Sequence, residues 1–294
     1  MSTLVLLLVT GLGLGALYFL VASGLSLIYG LMGVLNFAHG SFLTVGAFIG
    51  WEVSRRLSDG SWWALVAAML VGALVGALAA AATEFFLIRR LYNRHIEQVL
   101  VTVGLALATV ALFEGIWGTD PTYVTSPAWL AQTTEILGAR IPNNRFLLIA
   151  LAVLVLVTIV GFLRFTRYGL IIRAGVENRT MVTALGIDVR RAFTVVFAIG
   201  GAAAGLGGVL ASIYYGYVSA HIGSSLLIFA FIVTVIGGLG SLGGAAIASV
   251  LVAVLQQFAN FYLGGTGDLA VVLALAAVLL VRPRGLLGAK GSTA

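Results

Sequence analysis

The chain has 294 residues, of which 61% are hydrophobic and 9% charged, with a formal net charge of +6 at neutral pH. A soluble domain carries about 25% charged residues, so the composition excludes an ordinary water-soluble protein. The absence of cysteine excludes disulfides, thiolate chemistry and Cys-ligated metal.

Nine apolar runs follow in order, at about 4–30, 33–53, 62–88, 97–118, 145–164, 192–215, 224–241, 244–262 and 267–282. Runs of this length cross a hydrocarbon core of about 30 Å as helices. They are too continuously apolar for the alternating strands of a membrane barrel. The prediction is an all-α polytopic membrane protein with residues 1–294 forming one transmembrane domain. The first run starts at Leu4 with no basic segment ahead of it, which reads as a retained span and not a cleaved signal. The segments 33–53 and 224–262 are candidates for broken or re-entrant helices.

Arginine supplies fifteen of the sixteen basic residues, and they stand at the ends of apolar runs. That placement argues for topology and against nucleic acid. With the N-terminus outside, the inside segments hold Arg89, Arg90, Arg94, Arg164, Arg167, Arg173, Arg179, Arg190, Arg191, Arg282, Arg284 and Lys290. The outside segments hold only Arg55, Arg56, Arg140 and Arg145. The positive-inside rule therefore predicts N-out and C-in, with Arg55 and Arg56 fitting least well. Two polar segments exceed simple turns. An external loop, 119–144, holds Pro121, Pro127, Pro142 and Trp129; a cytoplasmic loop spans 164–191.

Glycines recur four apart at Gly11/Gly15, Gly46/Gly50, Gly72/Gly76, Gly201/Gly205 and Gly240/Gly244. On a helix this spacing puts both on one face and lets neighbouring backbones approach. "GGLGSLGGA" (237–245) has no lysine and joins two apolar runs, so it reads as a turn or helix break. "LIYG" and "FAHG" (27–30, 37–40) are echoed by "SIYYG" and "SAHIG" (212–216, 219–223). The first pair follows an inward-going span and the second an outward-going one, as an inverted repeat requires.

Several chemistries are missing. There is no G-x-x-x-x-G-K-[ST], and the only lysine is Lys290, so the chain carries no P-loop of its own. His39, His95 and His221 are far apart, which argues against a histidine metal site. Glu84 and Glu114 lie near the two ends of their spans and are expected at the interfaces, leaving no mid-membrane carboxylate for ion coupling.

The stretch "GVLNFAHGSF" (33–42) places Asn36 and His39 between two apolar runs, with Gly33 and Gly40 weakening the helix on either side. Polar groups at that depth persist only where protein or a water-filled cavity satisfies them. Either Asn36, His39 and Gly40 hold helices together, or they line a substrate path. Inside, "RYGLIIRAGVENRTMVTALGIDVRRA" (167–192) is amphipathic at helical spacing. Ala174, Met181, Ala184 and Leu185 form one face, Arg173, Glu177 and Arg179 project elsewhere, and Gly186 reads as a stop before Ile187 and Asp188. The segment either lies on anionic lipid or docks as a short helix into another protein's groove.

These two stretches, with "IGGLGSLGGAAIAS" and "VLLVRPRGLLG" downstream, resemble the permease subunits of branched-chain amino-acid ABC importers over nearly the whole chain. Urea and short-amide permeases share the same marks. The resemblance implies half of a two-permease core, paired with a second, homologous permease chain. It also implies two cytoplasmic P-loop ATPases that bind the ATP, and a periplasmic or extracellular substrate-binding protein. It places the chain as a multi-pass protein of a bacterial or archaeal cytoplasmic membrane. No cofactor and no catalytic residue of its own are implied. Residues 173–188 become the coupling helix, with Arg173, Ala174, Glu177, Asn178, Met181, Ala184, Leu185, Gly186 and Ile187 facing an ATPase. The E-A-A…G loop of many importers is only loosely echoed by "ENRTMVTALG", so contacts do not transfer residue by residue. An ion-coupled secondary transporter is the alternative from another class.

Overall fold

The computed structural model describes residues 2–33, 36–58, 60–92, 94–177, 179–184, 186 and 189–287. The first half holds helices α1 (Ser2–Met32), α2 (His39–Ser58), α3 (Trp62–Phe86), α4 (His95–Trp117), α5 (Ala128–Ala131) and α6 (Asn144–Phe165). The second half holds α7 (Arg167–Glu177), α8 (Arg179–Ala184), α9 (Val189–Tyr215), α10 (Ile222–Gly237), α11 (Leu242–Tyr262) and α12 (Gly267–Val281). A 3₁₀ turn, Ile88–Leu91, follows α3. Among the described residues α1, α3, α4, α6, α9 and α11 are long and apolar enough to cross a membrane; α10 and α12 are apolar but shorter. The polytopic helical class read from composition therefore stands.

Local chemistry sets the helix starts. Ser61 caps α3 by accepting the Ala64 N–H at 3.1 Å, and Ser241 caps α11 by accepting the Gly244 N–H at 3.0 Å. Between α10 and α11, Gly238 and Gly240 take φ values of 102° and 81°, so the "GGLGSLGGA" stretch is the turn it was expected to be. The 33–53 run is corrected. Its helix begins at His39 and continues to Ser58. It extends because Glu52 pairs with Arg55 at 3.0 Å and Arg56 at 2.6 Å, which keeps the charged last turns helical and accounts for two arginines at the less basic end.

The 119–144 loop carries structure that composition did not announce. β2 (Thr133–Ile136) and β3 (Ala139–Pro142) form a hairpin with Thr133 opposite Pro142 and Ile136 opposite Ala139. β1 (Thr122–Tyr123) pairs antiparallel with β4 (Tyr217–Val218), tying the exit of α4 to the exit of α9. Trp62 at the start of α3 lies 6.2 Å from Trp129 of the same loop.

α1 is the central post. It packs on α6, α9, α10 and α11, and Leu17, Leu20, Val21, Ala22 and Leu25 are fully buried. Tyr18 donates to Gln256 of α11 at 2.7 Å, and Gln256 donates to Asp268 of α12 at 2.7 Å. Beside α1, the three helices α2, α3 and α9 meet along glycine. A Cβ on Gly72 would sit 3.1 Å from the Gly46 carbonyl oxygen and 3.4 Å from that of Gly205. A Cβ on Gly46, Gly76, Gly201 or Gly205 would fall onto the facing backbone. Gly11 and Gly15 make the same close approach to α11, each hypothetical Cβ lying 3.0 Å from a backbone atom of that helix. Gly240/Gly244 is the exception among the spaced pairs, since only Gly244 is helical and Gly240 lies in the turn. Away from the core, Leu70, Leu74 and Leu78 of α3 are exposed at a four-residue spacing, as are Leu269 and Leu273 of α12. An outward apolar face of this kind suits lipid and not water.

The seam predicts a sharp contrast. Gly205→Val forces the α3 backbone away and is expected to abolish a monodisperse folded species. Gly104→Ala, in α4 with nothing within 4 Å, is expected to leave the thermal midpoint unchanged or raise it, with a gain of about 1 kcal/mol at most. Size-exclusion profiles and thermal melts of the purified variants check both.

Candidate functional site

The polar motif lies inside the bundle. Gly33, at φ 68°, ends α1 with its N–H donating to the Tyr29 carbonyl at 2.7 Å. Asn36 Oδ1 accepts the Ala38 N–H at 3.0 Å, and the Asn36 carbonyl accepts the His39 N–H at 3.2 Å. This Asx-type turn starts α2. His39 Nε2 lies 2.9 Å from the Val21 carbonyl oxygen. A carbonyl only accepts, so Nε2 carries the proton and the ring is the Nε2–H tautomer. Val21 stands eleven residues before Met32, about 16 Å along the helix. α2 therefore starts alongside the middle of α1.

The protein encloses the motif, although Asn36 Nδ2 and His39 Nδ1 have no partner among the described residues. Asn36 is 2% exposed and His39 fully buried. Gly24 makes room for the imidazole, since a Cβ there would lie 2.8 Å from His39 Cε1 and 2.5 Å from the Gly200 carbonyl oxygen. Gly40 meets the start of α10: its Cβ would lie 2.8 Å from the Gly223 carbonyl oxygen. Thr44 accepts the Gly223 N–H at 3.2 Å and donates to the Ala220 carbonyl at 3.4 Å. The two halves of the sequence echo, "FAHG" and "SAHIG", thus come into contact. Of the two readings of Asn36, His39 and Gly40, the bonds described here are those of helix assembly.

Glu84, expected near the end of its span, lies in the last turn of α3 and is fully buried in the protein. Its Oε2 accepts from Thr194 of α9 at 2.6 Å, and its Oε1 accepts from the Tyr92 hydroxyl. The neighbouring Arg89 and Arg90 suggested solvent in the sequence; partners from α9 and the 3₁₀ turn supply what solvent would have. Glu114 is half-buried and lies 2.9 Å from His221 Nε2, joining α4 to α10. Thr44 and Thr194 went unremarked in the sequence, although a lone threonine in an apolar helix is the available signal.

The presumed coupling segment also differs from the single helix expected over 173–188. Thr166 ends α6 and caps α7, its hydroxyl donating to the Phe162 carbonyl at 2.7 Å and accepting the Gly169 N–H at 3.0 Å. α7 and α8 are separate short helices on either side of residue 178. Ile172 and Val182 are the buried anchors, at 2% and 5% exposed. Ala174 is half-buried, whereas Arg173, Met181 and Ala184 face outward, Met181 at 64%. Glu177 closes α7, and Gly186, at φ 77°, makes the expected stop with its N–H donating to the Thr183 carbonyl at 3.0 Å. Asn178, Leu185 and Ile187 lie outside the described residues.

Two substitutions test these networks. Asn36→Leu strands the Ala38 N–H and is expected to cost about 1–3 kcal/mol of stability. Glu84→Leu removes the acceptor that Thr194 and Tyr92 share and should lower the thermal midpoint, while Glu84→Gln, which keeps an acceptor for Thr194, should recover most of it. Thermal unfolding in one detergent measures both.

Comparison with known proteins fits this architecture. Residues 7–282 match the family model described as branched-chain amino acid transport system / permease component. The high-affinity branched-chain amino acid transport system permease protein LivH of Salmonella typhimurium is 31% identical, covering 95% of this chain and 93% of its own. BraD of Pseudomonas aeruginosa, a permease protein of the same description, is 28% identical over 96% of this chain and 94% of its own. LivM of Salmonella typhimurium is more distant, 25% identical over 92% of this chain and 68% of its own. No solved structure matches the chain. With the family model spanning nearly its whole length, the chain belongs to the branched-chain amino acid transport permease family.

Proposed function

We propose that this chain is the permease subunit of an ATP-driven importer of branched-chain or related neutral amino acids. It forms half of the translocation path and lacks an ATPase site of its own. The observation that carries the reading is the full-length family match. The placement of α7 and α8 supports it. These two amphipathic helices lie between α6 and α9, at the end of the bundle where most arginines cluster. Nine helices (α1–α4, α6 and α9–α12) crossing in alternation put the N-terminus outside and that arginine-rich end in the cytoplasm.

On this reading the second permease is a different chain, as the separate names LivH and LivM suggest. Two cytoplasmic P-loop ATPases bind the ATP, and an external binding protein delivers cargo. Closure of the ATPases presses on the outward faces of α7 and α8. Ile172 and Val182 anchor these helices in the bundle, so the push reaches α9. Thr194, near the start of α9, bonds Glu84 of α3, and α3 and α9 are interlocked along the glycine seam. The helices therefore move as a block, and the shared path switches sides.

Gentle extraction from native membranes, affinity capture and mass spectrometry test the assembly. Two P-loop ATPases and a second permease are expected. A chain recovered alone, under conditions where such complexes survive, overturns the reading. Met181→Asp, at an exposed apolar position, is expected to cut binding-protein stimulation of ATP hydrolysis severalfold while leaving permease yield intact. Unchanged stimulation removes α8 from the ATPase contact.

A further inference from the structure

The hairpin between α5 and α6 breaks a local rule. Two residues, Leu137 and Gly138, join β2 to β3, with Ile136 opposite Ala139. Both take a positive φ, 51° and 78°, as the two central residues of a type I′ turn must. Asparagine followed by glycine suits that turn best. Among the described residues Leu137 is the only one other than glycine with a positive φ. Its Cβ crowds the backbone there, and its side chain makes no hydrogen bond in exchange. No packing offsets the strain either, because Leu137 is 78% exposed.

The hairpin beneath it is firmly held. Ala139 and Ile141 are 3% and 0% exposed, and β3 packs on α1. At the base, Asn143 accepts from the Thr134 hydroxyl at 2.6 Å and donates to the Trp129 carbonyl at 2.8 Å. Its backbone N–H donates to the Gln132 carbonyl at 3.0 Å. A strained residue on a rigid support points to use by something outside the chain. That something is not lipid. Glu135 and Arg140, both exposed, stand opposite each other just behind the tip, and two charges there hold it in the water layer. Gly138 lies beside Ser2, the first described residue of α1, with a Cβ separation of 3.7 Å. The 31 residues of α1 span about 46 Å, so the helix ends stand clear of a hydrocarbon core of about 30 Å. Among the described residues neither Glu135 nor Arg140 is in an ion pair. The tip therefore offers an apolar knob flanked by one carboxylate and one guanidinium, each open to a partner.

We propose that Leu137 is a docking knob for the external substrate-binding protein. An apolar socket on that protein covers Leu137, with a basic group set against Glu135 and an acidic one against Arg140. An apolar centre with a charged rim is the usual build of a protein interface. This rests on the importer reading and the N-out orientation above, which put the hairpin on the face where that protein arrives. A small ligand needs a concave site, and the tip is convex. Because the hairpin is already fixed, docking orders little more of this chain.

The test uses the assembled transporter in proteoliposomes and reads ATP hydrolysis against the concentration of its leucine-loaded binding protein. Leu137→Asn suits the turn better, so complex yield is expected to hold and the thermal midpoint to stay or rise. The concentration giving half-maximal stimulation should nevertheless rise about tenfold, the loss of one buried leucine contact. Leu137→Met keeps an apolar knob and should stay within about twofold of wild type. Half-maximal stimulation of Leu137→Asn at the wild-type concentration overturns the assignment while leaving the importer reading intact. A wild-type complex that the loaded binding protein does not stimulate overturns the importer reading, and the docking assignment with it. Since the chain has no cysteine, Leu137→Cys takes a single bimane label for an independent measurement. Its emission is expected to move to the blue when the binding protein is added. Emission that the binding protein does not move overturns the assignment, and emission already blue without it puts the tip in lipid instead.

Discussion

In hydrocarbon a backbone N–H or C=O has no water to fall back on, so each must find its partner inside the protein. The rest of this structure follows from how that constraint is met where the helices break. Residues 36–38 are not helical, and His39 lies beside α1 at the level of Val21. It can do so because Asn36 takes the Ala38 N–H, the Asn36 carbonyl takes the His39 N–H, and the imidazole is spent on the Val21 carbonyl. Thr44 performs the same service for the first turn of α10. The polar residues of the motif are thus first of all substitutes for water.

Close backbone approach is the second requirement, and glycine meets it. Without Gly24 the His39 ring has no slot between α1 and α9; without Gly40 and Gly223 the two helix starts cannot touch. Without Gly46, Gly72, Gly76, Gly201 and Gly205, helices α2, α3 and α9 stand further apart and lose the dispersion contacts that hold helices together in lipid. These contacts are stiff, because backbone pressed on backbone has no rotamers with which to adjust. A permease needs a block that moves without deforming, and a glycine seam supplies one.

The end of the bundle beside α7 and α8 obeys the same logic with a buried carboxyl group. Glu84 is buried and held by the hydroxyls of Thr194 and Tyr92. Two hydrogen bonds to a carboxylate are worth more than two neutral ones, and they join α3 to α9 immediately after the α7–α8 segment. The link is polar at this end and apolar through the seam.

Composition and run length alone settled the membrane class, because no other solvent accommodates 61% hydrophobic residues in runs of this length. Glycine spacing located the seam, since four-residue periodicity is a property of one helix and survives whatever it packs against. The importance of Asn36, His39 and Gly40 was legible for the same reason: polar groups between apolar runs need an explanation wherever they lie. What the sequence left open was decided by distance between segments far apart in the chain. Glu84 read as interfacial because its visible neighbours were arginines, while its partner Thr194 is 110 residues away. The partners of Asn36 and His39, the Ala38 N–H and the Val21 carbonyl, were set by packing as well. Leu137 carried no signal, since a leucine before a glycine is ordinary. Only the closing of β2 on β3 gives it a positive φ and leaves it exposed, because backbone angles and burial are properties of the folded chain.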